Sequence, residues 1–418
     1  MLRHKAYKTR LDLNKAQEGQ LWQCIGIARY VYNWALADRI EKYKADTPTN
    51  LYEQKRRFNA IKSEIAPFVR QVPYTVTDET FRNLDTAYKN FFRRVKQGTE
   101  APGFPKFKSR YAPRKTFSVR GSIHVEPRMV KLPIIGWLRL HERGYLPTEG
   151  VKILKATVSN DQGAWWISLQ VEEDIPEPPT PGTDVIGVDV GIKTLAVVSD
   201  GRQFENPKAL AVYQQKLARA QREVSRRKKG SANRKKSQQR VTKLHAKIAR
   251  IRAAAHHNAS HKITETPGVG TIVIEHLNVK GMVQNRKLAK AVSDASMSEL
   301  HRQIEYKAEW AGKTVLRADR WYPSSKTCSV CGHVKADLTL ADRVYVCSEC
   351  GTRIDRDLNA ARNLAALGEP TNGRGLPGEL GFEKAAEGGS AAITIAVKGI
   401  ETRKEQQASA PPSIAPYQ

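Results

Sequence analysis

The chain has 418 residues, 40% of them hydrophobic, and 70 Lys and Arg against 42 Asp and Glu give it a net charge of +28. That length holds two to four domains with a substantial core. The cation excess points to a polyanionic partner, nucleic acid before an anionic membrane surface because an amphipathic anchor is missing. No run of about 18 apolar residues occurs, and the start, Met1-Leu-Arg-His-Lys-Ala-Tyr-Lys, lacks a signal-peptide core, so a cytoplasmic, nucleoid-associated protein is expected.

In chain order, residues 4–13 alternate as a short strand, and from Lys15 to about Phe92 the apolar residues recur at helical spacing, as in Ala28-Arg-Tyr-Val-Tyr-Asn-Trp-Ala-Leu-Ala. Cys24 falls on this apolar face and is expected to be a buried free thiol. Gly103-Phe-Pro-Lys-Phe-Lys breaks the helical pattern and interleaves aromatics with cations, suited to stacking and phosphate contact or simply to packing. Residues 116–174 read as strands separated by Pro, Gly and Asp-Gln-Gly turns, a small barrel or curled sheet that the first strand completes, so that the helical part is an insertion. Pro176-Glu-Pro-Pro-Thr-Pro-Gly is a stiff connector and the clearest domain boundary.

Beyond it come Val185-Ile-Gly-Val-Asp-Val-Gly and Thr194-Leu-Ala-Val-Val-Ser, two strands of a hairpin, with Asp200-Gly201 turning into Arg202-Gln-Phe-Glu. Between Asn206 and Lys262 stand 17 Lys and Arg against the single acid Glu223. Apolar residues at helical spacing on both sides of Gly230 make this a basic helical hairpin, densest at Arg226, Arg227, Lys228, Lys229, Arg234, Lys235 and Lys236. A solvated helix face mixes signs, so one acid in such a length favours phosphate contact, which supplies affinity rather than sequence choice. A strand at Thr271-Ile-Val-Ile-Glu, a helix from about Ser296 to Ala311 and a strand at Thr314-Val-Leu-Arg-Ala complete an α/β domain with a mixed sheet.

This domain is interrupted by Cys328-x2-Cys331 and Cys347-x2-Cys350, each half reading CxxCG with 15 residues between them. The spacing is that of a four-thiolate zinc ribbon, a closed structural site; a rubredoxin-like iron site has the same donors, and two disulfides fit less well. Seven residues after the last cysteine, Asp357-Leu-Asn-Ala-Ala resumes the α/β domain with a helix. Beyond Leu367 the chain is rich in Gly, Glu, Ala and Pro and is expected to be disordered.

Three acids could carry chemistry. Asp189 closes an apolar strand, Glu275 ends another, and Asp357 sits near a helix start beside the small residues Asn359, Ala360 and Ala361. Each alone could be a cap or turn residue. Together they suit two Mg²⁺ or Mn²⁺ ions that activate water and stabilise the leaving oxygen of a phosphodiester. Asp184, Asp294, Asp319 and Asp355 are competitors, and Asp355 and Asp357, two apart on a helix, cannot both face one site.

Val188-Asp-Val-Gly-Ile-Lys, Ile274-Glu-His-Leu, the cysteine ribbon and Asp355-Arg-Asp-Leu-Asn-Ala-Ala resemble the split RuvC-like nuclease and zinc ribbon of the TnpB family, the transposon-encoded ancestors of type V CRISPR effectors. Ala28-Arg-Tyr-Val-Tyr-Asn, Thr86-Ala-Tyr-Lys-Asn-Phe-Phe, Gly103-Phe-Pro and Ser225-Arg-Arg-Lys-Lys-Gly-Ser extend the resemblance over residues 3–367. It implies a multidomain chain, α/β plus all-β: an RNase H-like (RuvC) nuclease domain with an inserted zinc ribbon, preceded by a wedge-like β-barrel carrying a helical recognition insertion. The implied boundaries are first barrel strand 1–14, helical insertion 15–115, rest of the barrel 116–175, linker 176–183, nuclease 184–321, ribbon 322–352, last nuclease helix 353–367 and tail 368–418.

The resemblance further implies catalysis by Asp189, Glu275 and Asp357, a guide RNA from the transposon end bound by a monomer, and cutting of duplex DNA beside a short transposon-associated motif. Guide pairing would read the target while the protein reads the motif, by position through Tyr52, Tyr74, Thr75 and Asp78, of which only Tyr52 keeps the expected residue type. The alternatives are an RNA-guided DNA binder without cleavage, a zinc-ribbon nucleic-acid-binding accessory protein, which would not need Asp189 or Glu275, and a single-strand transposase, against which the adjacent His256-His257 argue.

Overall fold

The computed structural model describes residues 2–99, 101–112, 114–161, 163–178, 180–339 and 342–369, with the backbone of 380–383 and 392–397. They divide into two units, Met1–Glu177 with Glu223–Lys243, and Pro178–Arg222 with Leu244–Gln418. The boundary falls in the Pro-rich connector, while the basic hairpin, read from sequence as wholly within 184–321, is shared between the units.

In the first unit, β1 (Leu2–Asp12) leads directly into α1 (Lys15–Lys44). The helix starts there because the Asn14 side chain accepts from the Gln17 N–H at 2.8 Å and the Gln17 side chain accepts from the Asn14 N–H at 3.1 Å, a reciprocal cap. Asn50 and Glu53 repeat the device at α2 (Leu51–Ile65). A 3₁₀ turn at Pro67–Gln71 then leads to α3 (Tyr74–Lys96). Trp34, Phe58 and Phe81 join the three helices with ring centroids 4.9–6.3 Å apart. Cys24 is buried and reduced, as expected.

Six further strands follow: β2 (Arg114–Val119), β3 (His124–Glu126), β4 (Met129–Leu132), β5 (Gly136–Leu140), β6 (Val151–Asp161) and β7 (Ala164–Asp174). They form one antiparallel sheet in the order β2-β6-β7-β1-β5-β4-β3. The first strand is internal, paired with β7 through Arg3–Glu173 to Arg10–Trp166 and with β5 at Leu11–Leu140, so the helices are an insertion between strands of one sheet. Alternation fixes which face is buried: Trp165, Ile167, Leu169 and Val171 of β7 all point into the core.

The second unit opens with β8 (Asp184–Val190), β9 (Thr194–Val198) and β10 (Gln203–Glu205), antiparallel neighbours in that order. The chain leaves through α4 (Ala209–Arg226) and α5 (Ala232–Thr264), turning at Gly230 with φ +83°, and returns as β11 (Val269–Ile274), parallel to β8. Short helices α6 (Val279–Gln284) and α7 (Ala289–Ala295) precede α8 (Met297–Trp310) and β12 (Thr314–Arg317), which lies parallel to β11. The cysteine segment contributes the small hairpin β13 (Val344–Val346) and β14 (Arg353–Asp355), and α9 (Arg356–Gly368) closes the domain.

The sheet has two covered faces. Ile272 and Ile274 of β11 pack with Ala259 and Ile263 of α5 and Leu300 and Ile304 of α8, whereas the intervening Val273 packs with Leu364 and Leu367 of α9. Helix α9 seats close to β8 because Gly187 has no side chain: a Cβ there would stand 2.0 Å from the Ala361 carbonyl oxygen. The tail corrects one expectation. Leu380–Glu383 (β15) and Ala392–Val397 (β16) pair with each other, and β16 adds to the parallel edge at β12. Ala-Ile-Thr-Ile-Ala-Val is a β-branched run that suits an open sheet edge, a local signal that the Gly- and Glu-rich surroundings obscured. At the start of the expected tail, Gly368 still belongs to α9 and Glu369 is its C-cap; the rest of the tail lies outside the described residues.

Candidate functional site

Asp189 lies near the carboxyl end of β8 and Glu275 immediately beyond the carboxyl end of the parallel neighbour β11, where the backbones stop competing for space and side chains converge. The Val190 N–H donates to Glu275 Oε1 at 3.3 Å, tying the two strand ends together. Asp357 enters from the first turn of α9, the helix seated against Gly187 of the same β8 strand. All three carboxylates are half-buried. Burial first, then the charges of Glu275 and Asp357, raise Asp189 well above the ordinary carboxylate range. Glu275 is pushed up to about 7, by burial first and then by Asp357, against the opposing pull of the Val190 N–H. Asp189 and Glu275, both with ionisation disfavoured, thus stand beside a third carboxylate, the kind of acidic cluster that a cation would relieve.

The competing acids have other work. Asp355 is the N-cap of α9, accepting from the Asp357 and Leu358 N–H groups at 3.0 and 3.1 Å. Asp294 is buried and accepts from the Leu210 N–H at the start of α4. Asp319 accepts from the Trp321 N–H at 2.7 Å in a turn, and Asp184 lies at the opposite end of β8 from Asp189. Sequence reading missed Arg356, whose guanidinium pairs with Asp357 Oδ1 at 3.2 Å and fixes that carboxylate. Its adjacency to Asp357 was the available signal.

The four cysteines form the single set of three or more His, Cys, Asp or Glu, among the described residues, whose donor atoms all lie within 4.8 Å of one another. The sulfur pairs Cys328–Cys350 and Cys331–Cys347 are 3.7 and 3.5 Å apart. Disulfide sulfurs would be about 2.05 Å apart, while tetrahedral thiolates about 2.3 Å from a common ion stand roughly 3.8 Å apart. The quartet therefore fits a closed metal knot. Gly332 and Gly351, at φ +78° and +69°, turn the two knuckles.

Asn359, singled out in sequence as a small neighbour of Asp357, reaches the ribbon. It is buried, accepts from the Ser329 N–H at 2.9 Å and donates to the Thr327 carbonyl at 2.6 Å. Asn363, one turn on, donates to the Ser324 and Thr327 carbonyls at 2.7 and 2.6 Å. The segment leading into the knot is thus clamped to the helix that carries Asp357.

Elsewhere the expected contact residues differ in availability. In the hairpin, Arg234 donates to the Val224 and Arg227 carbonyls, capping the end of α4, and Arg227 pairs with Glu223 at 3.6 Å. Arg226, Lys228, Lys229, Lys235 and Lys236 have no ion-pair partner among the described residues. Lys235 and Lys236 also stand in the first turns of α5, where the helix dipole disfavours cations, so an external anion is their natural complement. His256 and His257 belong to α5 as expected, but His256 is buried, with Nε2 2.9 Å from the Ala295 carbonyl oxygen. In the first unit Tyr52 and Tyr74 are exposed, whereas the Asp78 carboxylate is engaged by Lys55 and by Arg82 at 2.9 Å, and the Thr75 hydroxyl is buried.

Comparison with known proteins agrees with this arrangement. A family model described as "Probable transposase" matches residues 167–286, and a "Cas12f1-like, TNB domain" model matches residues 298–364, the segment holding the cysteine ribbon. A helix-turn-helix model matches residues 1–47, which fold here as β1 and the single helix α1. A Streptomyces pristinaespiralis protein named "Putative RNA-guided DNA endonuclease" is 35% identical over 383 residues, 87% of this chain and 89% of that protein. An Escherichia coli K12 relative, InsQ, of the same description is 30% identical over 88% of this chain and 93% of its own length. In fold, the chain is similar to the Cas12f1 protein of a solved Cas12f1-sgRNA-target DNA complex, with a TM-score of 0.52 over 87% of this chain and 99% of that one at 14% identity. With relatives matched along nearly their full lengths and the acidic and cysteine constellations each in one domain, the chain belongs to the family of TnpB-like RNA-guided DNA endonucleases.

Proposed function

We propose that this protein cleaves duplex DNA at sites selected by a bound guide RNA, and that Asp189, Glu275 and Asp357 form its hydrolytic centre. The strand order β10-β9-β8-β11-β12, with β11 and β12 parallel to β8, supports an RNase H-like reading of the sheet. The observation that carries the chemistry is the convergence of three half-buried carboxylates whose charges oppose one another. Three acids drawn from two strand ends and a helix start offer oxygen donors of the kind that two hard divalent cations share. Bound Mg²⁺ or Mn²⁺ would supply a nucleophilic water and charge stabilisation at the phosphodiester.

The chain's own residues prepare that centre. Asp189 and Glu275 offer oxygen donors that favour a cation over ionisation alone, the Val190 N–H orients Glu275, and Arg356 orients Asp357. Zinc on the four thiolates would be structural, because the set is closed and leaves no open position. The free hairpin cations and the exposed Tyr52 and Tyr74 are assigned to nucleic acid, the first to phosphates and the second to the short motif, with Thr75 and Asp78 shaping that face. Purified protein with its native guide RNA and Mg²⁺ should cut matching duplex DNA, and Asp189→Ala should abolish cutting while sparing binding. Equal cutting by the variant would remove Asp189 from the catalytic assignment, and binding without cutting by the unaltered protein would leave a guided binder.

A further inference from the structure

The first unit contains a cavity of about 790 Å³ between α1, the 107–112 segment and the start of β2. Its floor is one face of α1, with Trp22, Ile25, Gly26 and Arg29 at three- and four-residue spacing. Gly26 is out of place by helix propensity, since glycine in a helix interior costs about 1 kcal/mol against alanine. No neighbour explains it: a Cβ at Gly26 would meet nothing within 4 Å. The glycine therefore keeps space open rather than admitting a packed partner.

The walls are basic and aromatic. Arg29, Lys108, Arg110, Arg114 and Lys115 all line the cavity, and none is in an ion pair among the described residues. Trp22 is 40% exposed and held edge-on by Trp165 at 5.0 Å, with the Lys115 ammonium 5.5 Å from its ring; Phe107 is 57% exposed. The wall is preformed, because Asn33 of α1 accepts from the Lys108 N–H at 2.7 Å and donates to the Lys108 carbonyl at 3.1 Å. The Lys108 ammonium lies 4.0 Å from the centre of the Tyr32 ring, and burial lowers its affinity for a proton. Unpaired cations around exposed ring faces match a strand with free bases, since stacking on aromatics and backbone attraction are how unpaired nucleic acid is held. The volume lies within the roughly 300–1,000 Å³ of sites that enclose small molecules.

We propose that this cavity receives an unstacked base of single-stranded nucleic acid, seated over Gly26 against Trp22 and Phe107, with Arg29, Arg110, Arg114 and Lys115 on the flanking phosphates. The inference rests on the guided-nuclease reading for the source of the strand. The test uses the full chain, with fluorescein-labelled oligouridine and oligodeoxythymidine of about 10 nucleotides as probes and thermal melting as the folding control. Gly26→Leu should melt at or above the unaltered protein's temperature, because leucine is the better helix former and enters open space, yet bind at least one probe about tenfold more weakly. The probe that weakens identifies RNA or DNA as the strand.

Phe107→Ala, a change at an exposed ring, should weaken the same probe by a similar factor. Arg29→Gln with Lys115→Gln should reduce the slope of log affinity against log salt by about 1.4. A 4-thiouridine or 4-thiothymidine probe should crosslink to Trp22 or Phe107. Unchanged affinity of both Gly26→Leu and Phe107→Ala, or crosslinks confined to other residues, overturns the proposal. Failure of the unaltered, guide-loaded protein to cut DNA would instead count against the nuclease reading and leave these binding results standing.

Discussion

His301 illustrates how a single side chain sets a pH limit on the second unit. It is buried on α8, its Nε2 has no hydrogen-bond partner among the described residues, and the charges facing it are Arg317 and His276. Burial, then Arg317, then His276 pull its pKa down from 6.5 to about 4. Between those values the unfolded chain binds a proton that the folded chain refuses. Its contribution is therefore complete above pH 6.5 and is lost as the pH falls toward 4, a difference of about 3 kcal/mol. Urea unfolding at a series of pH values should show His301→Leu losing less stability than the unaltered protein across this window by about that amount; parallel profiles would exclude His301 as the source. Asp189 and Glu275 are displaced upward by the same first cause, burial, which disfavours the charged form of acid and base alike; what sets them apart from His301 is the neighbouring acid Asp357, which raises both further. The residue types, and with them the direction in which burial moves each, were legible in sequence; that each is buried depends on segments distant along the chain.

At the level of elements, the contact between α9 and β8 decides whether a third carboxylate reaches the site. Gly187 was read only as part of an apolar strand, yet a Cβ there would stand 2.0 Å from the Ala361 carbonyl oxygen and 2.5 Å from the Ala365 nitrogen. These are backbone atoms of a helix and cannot swing aside. Gly187→Ala should lower unfolding stability by about 3 kcal/mol and abolish cutting, because α9 must shift and carry Asp357 with it; a variant with full stability and activity would show that the helix tolerates displacement. The long helices and the strands 129–174 were legible because periodicity and turn residues are local signals. The short helices α6 and α7 were not, since six or seven residues give too little periodicity, and α6 is set by an Asn278 cap.

For the molecule as a whole, the cysteine knot and the acidic site are linked through Asn359 and Asn363, which bind the segment entering the knot to α9. Metal removal, or Cys328→Ser with Cys350→Ser, should loosen this segment and lower hydrogen-exchange protection in α9, while the β6 and β7 amides of the first unit keep theirs. Cutting should fall with the protection of α9. Retained activity with no metal bound would make the knot dispensable. No helix among the described residues is long and apolar enough to cross a membrane. The sequence by itself determined the charge, the four-thiolate spacing, the long helices and most strands, because each is carried by composition or by residues close together in the chain. It also supplied the three acids, through their places at two apolar strand ends and a helix start. Only the tertiary structure decided that Asp355 caps a helix while Asp357 faces Asp189, that Asn359 holds the ribbon, and that a glycine in α1 floors an open basic cavity. Those outcomes depend on distances between segments remote in sequence, which no local pattern encodes.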